Sequence, residues 1–469
     1  MKFIKLLACA GLVAGLSACG SDSNNSTAAP VTPEPTPEPL ATGQLRVTHA
    51  SPDAPMVNVY VDGELALADV GYKDSSGNIE VNEGTVSVEV RGLIPDGSEL
   101  SVIGPVDVTI SANVRTDVVA WDQLLDGSDI NIQAAVINND IVDISQVQVT
   151  VLHAAPQVAD VDIYVTAPGD TLDANTPVDA GFGDFAGPLE LNANTDYRVR
   201  ITPDGSDVVV YDSGTLSFEA GTELFLVAVE NTLGIGSNPV NLLAVTSMGA
   251  NEVLDVNTGA QVRVVHNSAD TPAVDILVNG DLALDAVPFP AASTHADIEA
   301  PAGTYNVVVA ADADNSIAPI DVDLSLDAGV SYTVIAVGGL NGVTDETLEA
   351  VLTIDERRSV ATEATLRVVH GSYAVAESIP VDVYLSADGV IADLDPAISA
   401  LAYRDATAQI PVGAGDYYVT VTAAGDQSVV AYEAGPLSLS AGTHYTVIAR
   451  DPGDMEVGAP LILSTILTH

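Results

Sequence analysis

Cysteine, positive charge and aromatic rings are all scarce in this chain of 469 residues, and each scarcity excludes something. The two cysteines, Cys9 and Cys19, both lie near the N-terminus. No disulfide can brace the remainder, whose stability must come from buried apolar surface. Only 14 lysines and arginines stand against 65 aspartates and glutamates, a formal charge of −51. A surface that negative repels phosphate backbones and anionic headgroups, so nucleic acid is excluded as a partner. Cations, basic proteins or a saline medium that screens self-repulsion suit it better. Aromatic residues make up 4%, with Trp121 the sole tryptophan, which leaves few rings for stacking on sugars. The hydrophobic fraction of 47% is nevertheless that of a folded protein.

What is abundant is repetition. The stretch LRVTHASPDAPMVNVYVDG, Leu45 to Gly63, returns as VTVLHAAPQVADVDIYV from Val149 and as VRVVHNSADTPAVDILVNG from Val262. A fourth copy, LRVVHGSYAVAESIPVDVYLSADG, starts at Leu366. Its histidines, His49, His153, His266 and His370, are separated by 104, 113 and 104 residues. That period is too long for a solenoid unit and suits tandem domains, expected at 45–147, 148–257, 258–360 and 361–469. Val57 to Val61, Val161 to Val165 and Val381 to Leu385 alternate with period two. Valines then share one face of a strand, with Asn58, Asp162 and Asp382 on the other. Tyr60, Tyr164 and Tyr384 fall on that second face, where they would serve cross-strand packing or contact a sugar; Leu277 takes the place in the third copy.

Each copy ends on a second signature. Leu326-x-x-Gly329-x-x-Tyr332 and Leu439-x-x-Gly442-x-x-Tyr445 correspond to Phe218, Gly221 and Leu224, and to Ile110, Asn113 and Thr116. Gly and Asn are the residues that best tolerate positive φ, so a left-handed turn should lead into a buried strand. The spacing is similar to the tyrosine corner of immunoglobulin-like sandwiches. The expected fold is all-β: four tandem immunoglobulin-like or fibronectin-type β-sandwiches of about seven short strands each.

The N-terminus reads as an address. Lys2 and Lys5 precede an apolar run from Leu6 to Leu16, and Leu16-Ser17-Ala18-Cys19 resembles a bacterial lipobox. Residues 1–18 would be a signal peptide and Cys19 the lipidated first residue of the mature chain, anchored in a membrane by its acyl chains. Gly20 after the cysteine favours sorting to the outer membrane over inner-membrane retention. Residues 19–44, with Thr32 to Pro39 reading TPEPTPEP, have no apolar periodicity and suit a flexible, proline-rich tether.

The opening run of Arg, Val, His, Ser, Asp, Pro and a Val-Asp-Val-Tyr-Val strand resembles the domain-of-unknown-function family 4397. Arg46, His49, Ser51, Asp53 and Pro55, and Arg263, His266, Ser268, Asp270 and Pro272, carry the resemblance best. The second copy departs at Ala155 and Gln157, and the fourth carries an insertion after Ser372. The resemblance implies secreted or surface-attached bacterial β-domains and brings no activity with it.

The chemistry offered is thin. His49 with Ser51 could form a hydrolase pair, but the second copy keeps His153 without serine or acid, as a structural histidine would. The four motif histidines are therefore expected to hold the fold, and no enzyme is expected. No histidine pair sits at zinc-ligand spacing; His295, His444 and His469 read as isolated loop or terminal residues. Calcium needs only oxygens, which Asp312, Asp314 and Asn315 and the interdomain acids Asp143, Asp255 and Asp355 supply without the spacing of a dedicated loop. The reading is a non-enzymatic outer-membrane lipoprotein, facing periplasm or exterior, that presents a rod of sandwiches for surface interaction or envelope structure, its glycan or protein partner open. A glycan- or calcium-binding surface protein is the alternative, and a hydrolase working through His49 and Ser51 the second.

Overall fold

The structure is a computed structural model and describes residues 41–124, 133–140, 146–300, 303–339, 347–372, 380–452 and 462–467. The expected signal peptide, Cys19, nearly all of the tether, Asp143 and His469 lie outside them. The described residues are all-β, with one three-residue 3-10 turn, Leu172–Ala174, beside the strands. None of their helices is long and apolar enough to cross a membrane.

The first repeat sets the plan. Its strands are β1 (Thr42–His49), β2 (Val57–Val61), β3 (Glu64–Val70), β4 (Ile79–Asn82), β5 (Gly84–Leu93), β6 (Glu99–Ile110), β7 (Val114–Trp121) and β8 (Gln133–Asp140). They form two four-stranded sheets, ordered β4-β1-β7-β8 and β3-β2-β5-β6. β1 runs parallel to β7, and the other neighbours are antiparallel. Period-two alternation explains the packing: Val86, Val88 and Val90 of β5 point inward while Ser87, Glu89 and Arg91 point out. Leu45, Val47, Val57, Val59 and Val118 complete the filling between the sheets.

The other repeats reuse this plan, and the second adds a fifth strand, Gly249–Val253, to one sheet. Each sandwich thus has at least eight strands where about seven were expected. Their first strands begin at Thr42, Gln146, Ala260 and Ala364, so the end of the span read as tether belongs to β1. The left-handed turns are present in every copy: φ is 60° at Asn113, 79° at Gly221, 77° at Gly329 and 74° at Gly442. The tyrosine corner forms where tyrosine is present. The Tyr332 hydroxyl accepts the Asp327 N–H at 3.1 Å, and that of Tyr445 accepts the Ser440 N–H at 3.0 Å.

The repeats are not strung end to end as a rod. The outer face of the β1/β7 sheet packs against the matching face of repeat two, through Val119 and Trp121 on one side and Leu152, Phe225, Val227 and Leu243 on the other. Repeats three and four pair likewise, through Val265, Ile335 and Val337 against Val369 and Ile448. Burial on both faces explains the unbroken apolar run Leu224 to Val229, which alternation alone would not produce. The two pairs also touch. The segment joining repeats three and four returns to repeat one, where Arg358 donates to the carbonyls of Pro52 and Ala54 and the Ala361 N–H to that of Asp53.

Candidate functional site

The repeated motif places its histidine at the end of the first strand, under the turn that leads to the second. His49 is 1% exposed. Its Nε2 lies 3.0 Å from the Pro55 carbonyl, and its Nδ1 accepts the backbone N–H of Ser51 at 3.3 Å. A ring that accepts at Nδ1 and faces a carbonyl at Nε2 is a neutral imidazole with its proton on Nε2. His153 repeats this with Ala159 and Ala155, and His266 with Pro272 and Ser268. In the fourth repeat residues 373–379 fall outside the described residues. Burial drives the His49 pKa down to about 4, with the Pro55 carbonyl opposing that shift. It lowers those of His153, His266 and His370 as well.

This arrangement does not make a nucleophilic pair. The serine contributes its main-chain N–H, whereas a base would have to reach its hydroxyl. The Ser268 hydroxyl bonds to Asp270 and Thr271 instead, and that of Ser372 to Asp451. Each motif histidine also meets an aromatic edge from the loop after the third strand: Tyr72, Phe182, Phe289 and Tyr403, with ring centroids 5.9–6.2 Å apart.

The arginine three residues before the histidine points the other way, into the interface between repeats. Arg46 is 0% exposed and meets Asp117 at 2.5 Å; Arg115 shares that carboxylate at 2.9 Å and reaches Glu223 of repeat two at 2.7 Å. In the second pair the shared acid is Asp355, met by Arg263 at 3.4 Å, Arg367 of repeat four at 2.6 Å and His295 at 3.1 Å. Burial pushes the Asp355 carboxyl up, but the His295 hydrogen bond and the two arginines outweigh it and hold the group below the ordinary aspartate value. His295 is therefore not an isolated loop residue. Neither is His444, which is buried in a strand and bonds through Nδ1 to Thr365.

The acids considered for calcium separate on inspection. Asp255 is used by the main-chain N–H groups of Asp212 and Asn257, and Asp355 by its arginines. Among the described acids of that set, Asp312 alone joins a cluster, with Asp275 and Asp285; Asp162, Asp179 and Asp204 form another. In each, one carboxylate oxygen per residue lies within 4.8 Å of the others, a spacing one oxygen-loving cation could span. Asp162 and Asp275 occupy the same place in their repeats, as do Asp204 and Asp312. Repeats one and four have Leu93 and Ala424 at the latter place.

The tyrosines offer no open platform. Tyr164 and Tyr384 are 7% and 3% exposed. Arg91 lies 4.1 Å over the Tyr60 ring, while the phenol and Asn58 both donate to Glu99.

A family model described as Domain of unknown function (DUF4397) matches residues 43–164 and 260–384. The chain belongs to the DUF4397 family. Both matches start in the first strand of an odd-numbered repeat and end in the second strand of the next. No curated protein matches. Among solved structures, the Bacillus anthracis TIE protein is similar at 11% identity, covering 88% of this chain and 69% of its own, with a TM-score of 0.14, too low to carry any argument.

Sequence reasoning about the DUF4397 motif named its arginines and gave them no role. Their signal was present: Arg46, Arg263 and Arg367 stand between apolar residues in strands whose neighbours are apolar on both sides. An arginine there must be paired, because an unpaired buried charge is too costly to keep.

Proposed function

We propose that this DUF4397 protein is a non-enzymatic cell-envelope lipoprotein, held at the outer membrane through Cys19, whose paired sandwiches serve surface interaction or envelope structure. The observation that carries the reading is the closure of its most enzyme-like constellation. In three repeats both histidine ring nitrogens are occupied by backbone, and in the two of these that carry the serine its hydroxyl is not among their partners. The anchor rests on the lipobox-like Leu16-Ser17-Ala18-Cys19. Fractionating cells that express Cys19→Ala tests it: the reading expects release from the membrane, and unchanged association removes the anchor. A broad esterase and peptidase screen tests the other half, where an activity present in the native chain and lost in Ser51→Ala and Ser268→Ala would overturn it.

A second reading, a calcium-binding surface protein, is favoured by the two aspartate triads that repeats two and three build from matching positions. Cations would also relieve the self-repulsion of a chain at −51. The thermal midpoint should then rise in millimolar calcium, and Asp204→Asn with Asp312→Asn should remove the rise. No shift in the native chain discards this reading.

A further inference from the structure

The rarest resource in this chain is positive charge, and three of its 14 basic residues line one cavity. The cavity, about 280 Å³, opens where repeats one, two and three meet the segment leading to repeat four. Tyr72 and Lys73 come from repeat one, Thr232 and Leu233 from repeat two, and Arg357 and Arg358 from the connecting segment. Lys73 is paired with Glu252 at 2.5 Å. The two arginines are not paired: among the described residues no carboxylate oxygen lies within 4.0 Å of either guanidinium. Arg358 spends one nitrogen on the Pro52 and Ala54 carbonyls and lies 5.2 Å from the Tyr72 ring centre. Arg357 spends one on Gln261 and His295, and its Nε is buried with no partner.

Two adjacent arginines with no carboxylate in contact are anomalous in a protein with 65 acids to choose from. The acids lining the same cavity do not resolve it. Asp355 is already engaged by Arg263 and Arg367, and Glu356 is exposed. Burial holds both guanidinium groups below the ordinary arginine value, opposed at Arg357 by Asp355 and at Arg358 by Glu363, Glu356 and Asp53, none of which is in contact with them. A guanidinium presents a planar fork of donors that suits carboxylate, sulfate and phosphate, and an anion between two of them recovers desolvation that neither recovers alone.

We propose that this cavity is a binding site for a small oxyanion, held by Arg357 and Arg358 at the junction of the repeats. Its occupant would tie the two pairs of sandwiches together, because its ligands sit on the segment that already bonds to repeat one. The inference does not rest on the lipoprotein reading and survives its failure.

The test is calorimetric titration of the lipid-free full chain with inorganic sulfate and, separately, with succinate, in chloride buffer at about 0.15 M ionic strength, where remote carboxylates are screened beyond roughly 8 Å. Saturable binding at one site per chain is expected, weakened at least tenfold in Arg357→Gln and in Arg358→Gln. Arg91→Gln, which removes the same charge from the ion-paired surface of repeat one, should leave binding unchanged. Arg358→Gln also gives up bonds to repeat one, so Arg357→Lys serves as the milder variant: it keeps the charge, loses the fork, and should weaken sulfate binding by a smaller factor. Sulfate against succinate then reports whether the site prefers a tetrahedral or a planar group. No saturable binding by the folded native chain, or equal binding by the native chain and folded Arg357→Gln, overturns the proposal.

Discussion

The two interfaces that pair the repeats solve one problem with different materials. Between repeats one and two the contact is rich in large side chains, with Trp121 and Phe225 among Val119, Leu152 and Leu243. Between repeats three and four it is smaller and aliphatic, with Val337 at the place of Trp121. The polar halves are inverted in the same sense. Asp117 serves two arginines of its own repeat, one of which has Glu223 in reserve. Asp355 serves Arg263, Arg367 and His295 from two repeats. The first interface is held mainly by apolar burial and the second more by a buried acid, and the variants that matter most should differ accordingly.

The largest effect is expected at Asp355. Replacing it by alanine takes away the buried carboxylate that Arg263, Arg367 and His295 share and should destabilise repeats three and four by about 4–5 kcal/mol in denaturant unfolding. Asp117→Ala should cost less, about 3 kcal/mol, because Arg115 keeps Glu223. Equal losses at the two sites would remove the distinction between the interfaces. On the apolar side the order reverses: Trp121→Ala should cost about 3–4 kcal/mol and Val337→Ala about 2 kcal/mol.

The histidine lock gives a pH signature. The His49 pKa is lowered to about 4 by burial, against an ordinary value of 6.5. The unfolded chain therefore binds a proton between those values that the folded chain refuses. The stability tied to this refusal is complete above about pH 6.5 and is lost as pH falls towards 4, about 3 kcal/mol in all. Carboxylate repulsion relaxes over the same range with the opposite sign, so the comparison to make is between the native chain and His49→Gln. The variant's stability should fall less steeply between pH 6.5 and 4; parallel curves would mean that the ring is not held neutral. The smallest effect is expected at Gly442, whose φ of 74° suits glycine: Gly442→Ala should lower stability by about 1 kcal/mol, read from the denaturation midpoint.

The repeats and their sandwich class were legible because each depends on short-range pattern. Period-two valines give the strands, and the Asn113, Gly221, Gly329 and Gly442 positions give the turn that admits the buried strand. Comparing the copies pointed to a histidine that does not depend on serine or acid, since His153 persists where both are lost. The partners were not legible. Tyr72 and Phe289 follow their histidines by 23 residues, but Phe182 follows by 29 and Tyr403 by 33, and the residue type changes between Tyr and Phe, so no single spacing marks them. The pairing of repeats was hidden for a related reason. A face buried against another domain leaves two marks, unbroken apolar runs such as Leu224 to Val229 and arginines set among apolar residues at Arg46, Arg263 and Arg367, and neither says which domain covers it. Asp355 had suggested calcium, and its two arginines lie 92 residues before it and 12 after it, a separation no local pattern reports.

The central claim is that the sandwiches pack as face-to-face pairs gathered into one body. Small-angle X-ray scattering of the lipid-free chain tests it most directly. One compact body of this length should have a radius of gyration near 25 Å, allowing for the N-terminal segment, whereas four domains end to end should approach about 40 Å. A value below about 30 Å that rises in Asp355→Ala is the predicted result. A value near 40 Å for the native chain would contradict the pairing.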